Sequence, residues 1–428
     1  MLAQAGQVSV QLVDSIMVGH VGTAELAASS FANSVFIVGF VFGMGFTFGV
    51  TPLVGQAFGN NNAKRVGELL QNSTILNTII SLLLTITLFG LSYLMPYMGQ
   101  PEDVVKLAIP YYRIIVISML PFLMFATIRQ FLEGLGKTKV ATIVTIVANI
   151  INIIFNYMLI FGKYGAPELG LSGAGWATLI ARMIMPLLII VWFVKSEYYV
   201  KYKLYISLKD IKFSELYRLF KFNLPIGLQI IVEVIAFSFG GLMMGLFGEV
   251  ALAAHQIALG LASFTFMIAT GFGSATTIRV SFQLGAYKYK ELRLAGFASI
   301  HLVVAFMTVT SVLFILFRNY LPYMFTNDLE VIKIASYLLI FAAVFQIVDG
   351  IQIVSISALR ALSDVKFALW LSIISYGILA LGSSYLFAFT FNFGPQGIWI
   401  GYVVGLTFAS ILFLRRFSLL SNRFLKGK

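Results

Sequence analysis

Twelve apolar runs, each long enough to cross the ~30 Å hydrocarbon layer of a bilayer as a helix, decide what this chain can become. They lie at residues 2–19, 26–53, 69–95, 107–131, 139–161 and 173–194, then at 222–247, 250–275, 295–317, 333–358, 366–390 and 396–414. Hydrophobic residues make up 59% of the 428 and charged residues 11%, a balance no soluble domain of this length shows. The expected fold is an all-α polytopic membrane protein.

The runs repeat. Val18-Gly-His-Val-Gly-Thr-Ala-Glu-Leu-Ala-Ala28 returns 226 residues later as Met244-Gly-Leu-Phe-Gly-Glu-Val-Ala-Leu-Ala-Ala254. At the same offset Gly45-Phe46 pairs with Gly271-Phe272, Thr51 with Thr277, Gly59 with Gly285, Lys64 with Lys290 and Pro96-Tyr97-Met98 with Pro322-Tyr323-Met324. One six-helix unit is therefore used twice. Because six is even, both copies have the same orientation and are expected to be related by a pseudo-two-fold axis along the membrane normal, an arrangement found in secondary transporters. The expected organisation is an N-lobe over 1–194, a cytoplasmic connector over 195–221, and a C-lobe over 222–428 that ends in a short basic tail.

Orientation follows from loop charge, since Lys and Arg near span ends remain cytoplasmic. Of the 29 Lys and Arg residues, 23 fall after even-numbered spans or in the C-terminal tail, against Lys106, Lys163, Arg318 and Lys333 on the opposite side. Arg113 and Arg182 fall inside spans. Both termini and the connector are expected in the cytoplasm, and the net charge of +12 reads as this topology signal and not as a nucleic-acid surface. Within the connector, the amphipathic piece Phe213-Ser-Glu-Leu-Tyr-Arg-Leu-Phe220 is expected to lie along the inner membrane surface.

Of the 17 acidic residues, only Asp14, Glu233 and Asp349 stand deep within spans. A carboxylate there costs several kcal/mol unless it faces a cavity, pairs with a cation or is protonated, so function is the default reading. The bland alternative is a buried acid satisfied by a neighbouring amide or hydroxyl. Helical spacing favours function, because each acid belongs to a polar stripe. Gln4, Gln7, Gln11 and Asp14 share one face of the first span; Gln229 precedes Glu233 by one turn; Gln346, Asp349 and Gln352 line up in the tenth span; Asn149, Asn152 and Asn156 line up in the fifth. Amides alone more often join helices, whereas a stripe that includes a carboxylate points to a wet cavity. Hard cations such as Na⁺ take oxygen ligands of this kind, with Glu233 and Asp349 as candidates. The acids do not coincide under the repeat, since Asp14 maps to Gly240 and Glu233 maps to Gln7.

Other chemistries lack their parts. Gly134-Leu-Gly-Lys-Thr138 resembles the end of a phosphate-binding loop, but residue 131, where that loop needs its first Gly, is Phe131. His20, His255 and His301 have no partner at metal-ligand spacing. Without a nucleophile set at a membrane surface the chain is expected not to be an enzyme and to need no cofactor. Any transport would draw on an ion gradient.

Five motifs carry a family resemblance: Val13-Asp-Ser-Ile-Met-Val-Gly-His-Val-Gly22, Val54-Gly-Gln-Ala-Phe-Gly59, Phe161-Gly-Lys-Tyr-Gly-Ala-Pro-Glu-Leu-Gly170, Ala253-Ala-His-Gln256, and Gln346-Ile-Val-Asp-Gly-Ile-Gln352 followed by Leu359-Arg360. On these the chain resembles the multidrug and toxic compound extrusion (MATE) transporters, in particular their NorM-like bacterial branch, from the first span to about residue 416. The resemblance implies two six-helix lobes splayed around a cleft, exporting amphipathic organic cations in exchange for Na⁺ or H⁺ across the bacterial inner membrane, with a monomer as the working unit. It places a C-lobe cation site on Glu233 and Asp349 and an N-lobe site on Asp14, Asn152, Asn156 and Thr178. Gln7, Gln11, Gln229 and Gln346 are the expected cleft-lining amides. One departure stands at the start, where family members carry a lead-in and a proline-bearing first half of helix 1. A related family reading is a flippase for lipid-linked oligosaccharides, which calls for a cationic cleft and keeps Arg113 and Arg182 of interest.

Overall fold

The computed structural model describes Asp14, residues 17–199, Tyr202 and residues 211–427. Its helices are α1 (Thr23–Thr47), α2 (Val50–Gly59), α3 (Ala63–Leu91), α4 (Glu102–Gly134), α5 (Lys139–Phe161) and α6 (Leu171–Lys195), then α7 (Phe213–Gly245), α8 (Glu249–Gly285), α9 (Tyr289–Phe317), α10 (Leu329–Ala361), α11 (Val365–Thr390) and α12 (Pro395–Leu425). A turn at Phe48–Gly49 separates α1 from α2 within one span. Eleven spans long and apolar enough to cross a bilayer are thus present among the described residues. The first expected span, 2–19, lies mostly outside them.

The duplication is visible in helix length. The α1–α2 span and α8 are both 37 residues long, α3 and α9 both 29, and α4 and α10 both 33. The copies part at α5 and α11, with 23 and 26 residues, and at α6 and α12, with 25 and 31.

Each compact unit is built on one central helix. In the N-terminal unit α4 packs against α1, α3 and α6, and in the C-terminal unit α10 packs against the corresponding α8, α9 and α12. Tyr112, Phe125, Phe131 and Leu132 bury the face of α4. Leu338, Leu339, Ala342 and Ala343 do the same for α10. Outward faces stay apolar, as at Leu82, Leu83 and Ile86 on α3 and Leu313 and Leu316 on α9, because lipid and not water is their solvent. Helices in lipid associate through close packing and polar contacts, and both copies use one such contact at the same place. Thr51 Oγ1 donates to the Gln130 carbonyl at 2.9 Å, and its repeat partner Thr277 donates to the Ser357 carbonyl at 3.2 Å.

Small residues let backbones approach in α12. A Cβ on Gly397 would meet the backbone of Ala388, one on Gly401 the backbone of Ser384, and one on Gly405 that of Ala380. This stripe of three glycines at four-residue spacing lies against α11, where Ser384 Oγ donates to the Ile398 carbonyl at 2.9 Å. α11 itself is wound irregularly, with wide π turns over Ile373–Ala380 and Leu386–Thr390.

Two expectations change. Phe213–Phe220 is no separate surface helix but the opening turns of the continuous 33-residue α7. Its residues find partners that hold it in line: Glu215 pairs with Arg65, and Phe220 packs 5.8 Å from Phe46. By packing, the two compact units divide within α7, between Gly227 and Leu228, and residues 59–61 group with the C-terminal one. Arg360, counted as a loop cation from sequence, stands in the last turn of α10 with its side chain turned inward.

Candidate functional site

In the N-terminal unit, three separate stretches of chain bring together the residues expected there. Asn152 and Asn156 are one turn apart on α5 and fully buried, which places both amides on one face. Asn156 Nδ2 donates to Asp14 Oδ1 and, at 3.1 Å, to Asn152 Oδ1. Asn152 Nδ2 reaches Thr178 Oγ1 on α6 at 3.5 Å. A carboxylate, two amides and a hydroxyl thus form one chain. Its amide protons point along the chain, which leaves the Asn156 carbonyl oxygen buried without a hydrogen bond among the described residues. An unpaired acceptor in such surroundings costs about 1–3 kcal/mol, a cost that a bound cation or proton donor would remove. Gln7 and Gln11 lie outside the described residues.

The C-terminal unit holds a second cluster with different parts. Glu233 and Gln229 are one turn apart on α7, with Gln229 Nε2 at 3.4 Å from Glu233 Oε2. The Gln229 oxygen in turn accepts from Arg360 Nη2. Asp349 is buried on α10 and lies within the electrostatic field of the half-buried Glu233. Gln346, one turn earlier, accepts from Thr310 on α9 at 3.2 Å through its oxygen, while its amide nitrogen remains unpaired. Gln352 Oε1, Ser355 Oγ, Ser372 Oγ and Ser375 Oγ are also buried without a hydrogen bond among the described residues. Gln352 follows Asp349 by three residues on α10, and a buried oxygen without a partner there calls for water or a bound ion.

Three participants escaped the sequence reading. Tyr376 sits beside Glu233 and Asp349, on the first π turn of α11. A tyrosine in an apolar run shows no polar stripe to notice. Arg360 was legible as a basic residue but not as an inward one. Arg182 was noticed within its span without a partner, and the partners turn out to be aromatic: its guanidinium lies 5.1 Å from the rings of Phe40 and Phe122 and 5.7 Å from Phe36. Among the described residues no cluster of three or more His, Cys, Asp or Glu could hold a metal ion.

Comparison with known proteins gives a consistent result. The family model described as MatE matches residues 1–158 and 225–386. The chain is 33% identical over 429 residues to the probable multidrug resistance protein NorM of Agrobacterium fabrum strain C58, covering 99% of this chain and 92% of that protein. It is 30% identical over 416 residues to the multidrug resistance protein NorM of Vibrio vulnificus strain YJ016, covering 96% and 91%. Among solved structures, a MATE protein in its bent conformation superposes with a TM-score of 0.90 at 22% identity, covering 100% of this chain and 94% of that one. The eukaryotic MATE transporter AtDTX14 gives 0.87 at 19%, covering 100% and 96%. At these identities the structures speak for the fold.

Proposed function

The chain belongs to the MatE family, and from that premise we propose that it is a multidrug efflux transporter that exchanges organic cations for Na⁺ or H⁺ by alternating access. The observation that carries the reading is the pair of unequal carboxylate clusters, one in each unit of a duplicated membrane fold. Asp14 with Asn152, Asn156 and Thr178 makes one, and Glu233 with Asp349 makes the other. In the proposed cycle a lipophilic cation is held against the carboxylates from the cytoplasmic side. On the outer side Na⁺ or a proton neutralises them and releases it. The driving energy is the ion gradient, with no covalent step, no cofactor and no partner protein, in a single copy of the chain in the bacterial inner membrane with both termini cytoplasmic.

The flippase reading gains nothing from Arg113 and Arg182. Arg113 donates to Ser92 Oγ and lies over Phe89 and Tyr93, and Arg182 donates to Ser118 Oγ among three phenylalanine rings, so the structure engages both with neighbours of their own.

Two measurements test the proposal. Asp349→Asn should abolish dye efflux from cells at unchanged protein level in the membrane, and undiminished efflux would remove Asp349 from the mechanism. Purified protein in liposomes should move dye under an imposed Na⁺ or pH gradient; movement under the pH gradient alone identifies H⁺ as the coupling ion, and no movement under either defeats ion coupling.

A further inference from the structure

One deep charge in the N-terminal unit has no part in the exchange just described. Arg182 stands mid-way along α6, one turn beyond Thr178 and on the same face of the helix. Two neighbouring helices hold its head group. Phe36 and Phe40 are successive turns of α1, Ser118 and Phe122 successive turns of α4, and Arg182 Nη1 donates to Ser118 Oγ at 2.9 Å. With the three ring centroids 5.1–5.7 Å away, the arrangement is an aromatic cage of the sort that receives quaternary ammonium ligands. Here the occupant is tethered. Arg113, the other arginine within a span, offers a contrast. It lies toward the start of α4 with Ser92, Phe89 and Tyr93 at the end of α3 around it, where a long side chain anchors a helix at the membrane interface. Arg182 has no interface within reach, and a guanidinium at that depth is costly enough to call for a role.

Its role follows from charge. Arg182 and Asp14 lie in each other's electrostatic field without forming an ion pair among the described residues. The N-terminal cluster therefore combines one negative and one positive group held apart, the first by Asn156 and the second by the cage. We propose that Arg182 is a specificity-determining residue: a built-in cation that offsets Asp14 and restricts this cluster to organic cations of single charge. The proposal rests on the efflux reading. Each positive charge on a ligand about 10 Å from the guanidinium is repelled, at an effective dielectric of about 20, by an amount on the order of a tenfold loss in affinity. A ligand with two charges meets that factor twice.

Ethidium and propidium share a ring system and differ by a second cationic centre, so they isolate the effect. Their binding to purified full-length protein can be followed by dye fluorescence. The native protein should prefer ethidium. Arg182→Gln should tighten both dyes, propidium by roughly the square of the ethidium factor, which moves the preference on the order of tenfold toward propidium. Arg182→Lys should keep the native preference, since it retains the charge while losing the planar stacking group. A preference unchanged in Arg182→Gln, or moved equally by Arg182→Lys, would overturn the proposal. If Arg182→Gln does not yield folded protein, Asp14→Asn serves instead: it should move the preference the opposite way by a similar factor, and no movement would again overturn it. Failure of the native protein to move either dye across liposomes is a separate result that removes the efflux reading itself.

Discussion

Asn156 shows what a single side chain must do in an apolar interior. Its two amide protons serve Asp14 and Asn152, so one residue fixes where the carboxylate points and keeps the next amide in line. Replacing it with Ala leaves a buried carboxylate short of a donor, and hydrogen bonds to charged groups contribute about 1.5–3 kcal/mol. Asn156→Ala should therefore raise the cation concentration needed for half-maximal dye release by roughly ten- to hundredfold, read in liposomes over a cation titration. Asn152 and Asn156 were legible because four-residue spacing puts amides on one helical face. So was the pairing of Gln229 with Glu233. Thr178 was not, since one hydroxyl in Gly175-Trp-Ala-Thr178 stands on no stripe, and only family resemblance supplied it. Tyr376 and the cage around Arg182 were out of reach for a different reason: aromatic residues are so frequent here, 15% of the chain, that their gathering around one polar group leaves no mark in the order of residues.

Helices raise the question of how closely they can lie. The stripe Gly397, Gly401 and Gly405 in α12 places the backbone of α11 where side chains would otherwise be. Gly401→Leu should force the two helices apart and destabilise the protein by at least the 1–3 kcal/mol typical of an overfilled core, visible as a lower melting temperature of the purified protein. Gly377→Ala, with nothing within 4 Å of the added carbon, should not lower the melting temperature, since Ala favours the helical backbone over Gly. Helix existence was readable from apolar length alone, but helix ends were not. Phe213–Phe220 has the alternation of a surface helix, yet Arg65 and Phe46 draw it into α7. Those partners are distant in sequence. A comparable approach occurs where α1 gives way to α2: Gly49 lacks the side chain that would overlap Asn223, whose amide is buried with neither atom hydrogen-bonded among the described residues.

At the scale of the molecule, loop charge makes a claim that the absence of cysteine makes easy to check. A single cysteine at Lys137 or Lys212 should react with a membrane-impermeant thiol reagent only from the cytoplasmic side, and one at Lys106 or Lys163 only from the outer side. Labelling in the reverse sense would invert the topology. The duplication itself was readable at its strongest, since matched residues and matched helix lengths agree through α3, α4, α9 and α10. What the repeat could not foretell is where the copies stop being copies. α5 is an ordinary helix carrying the amides of one site, whereas its counterpart α11 is three residues longer and contains two π turns. A π turn holds more residues than an α turn. Rewinding one to α geometry would turn everything beyond it by about 100° and advance it by ~1.5 Å, carrying the helix along its neighbour like a screw in a nut. Tyr376 rides on that thread beside the two carboxylates, and among the described residues of the first half no helix is wound in this way.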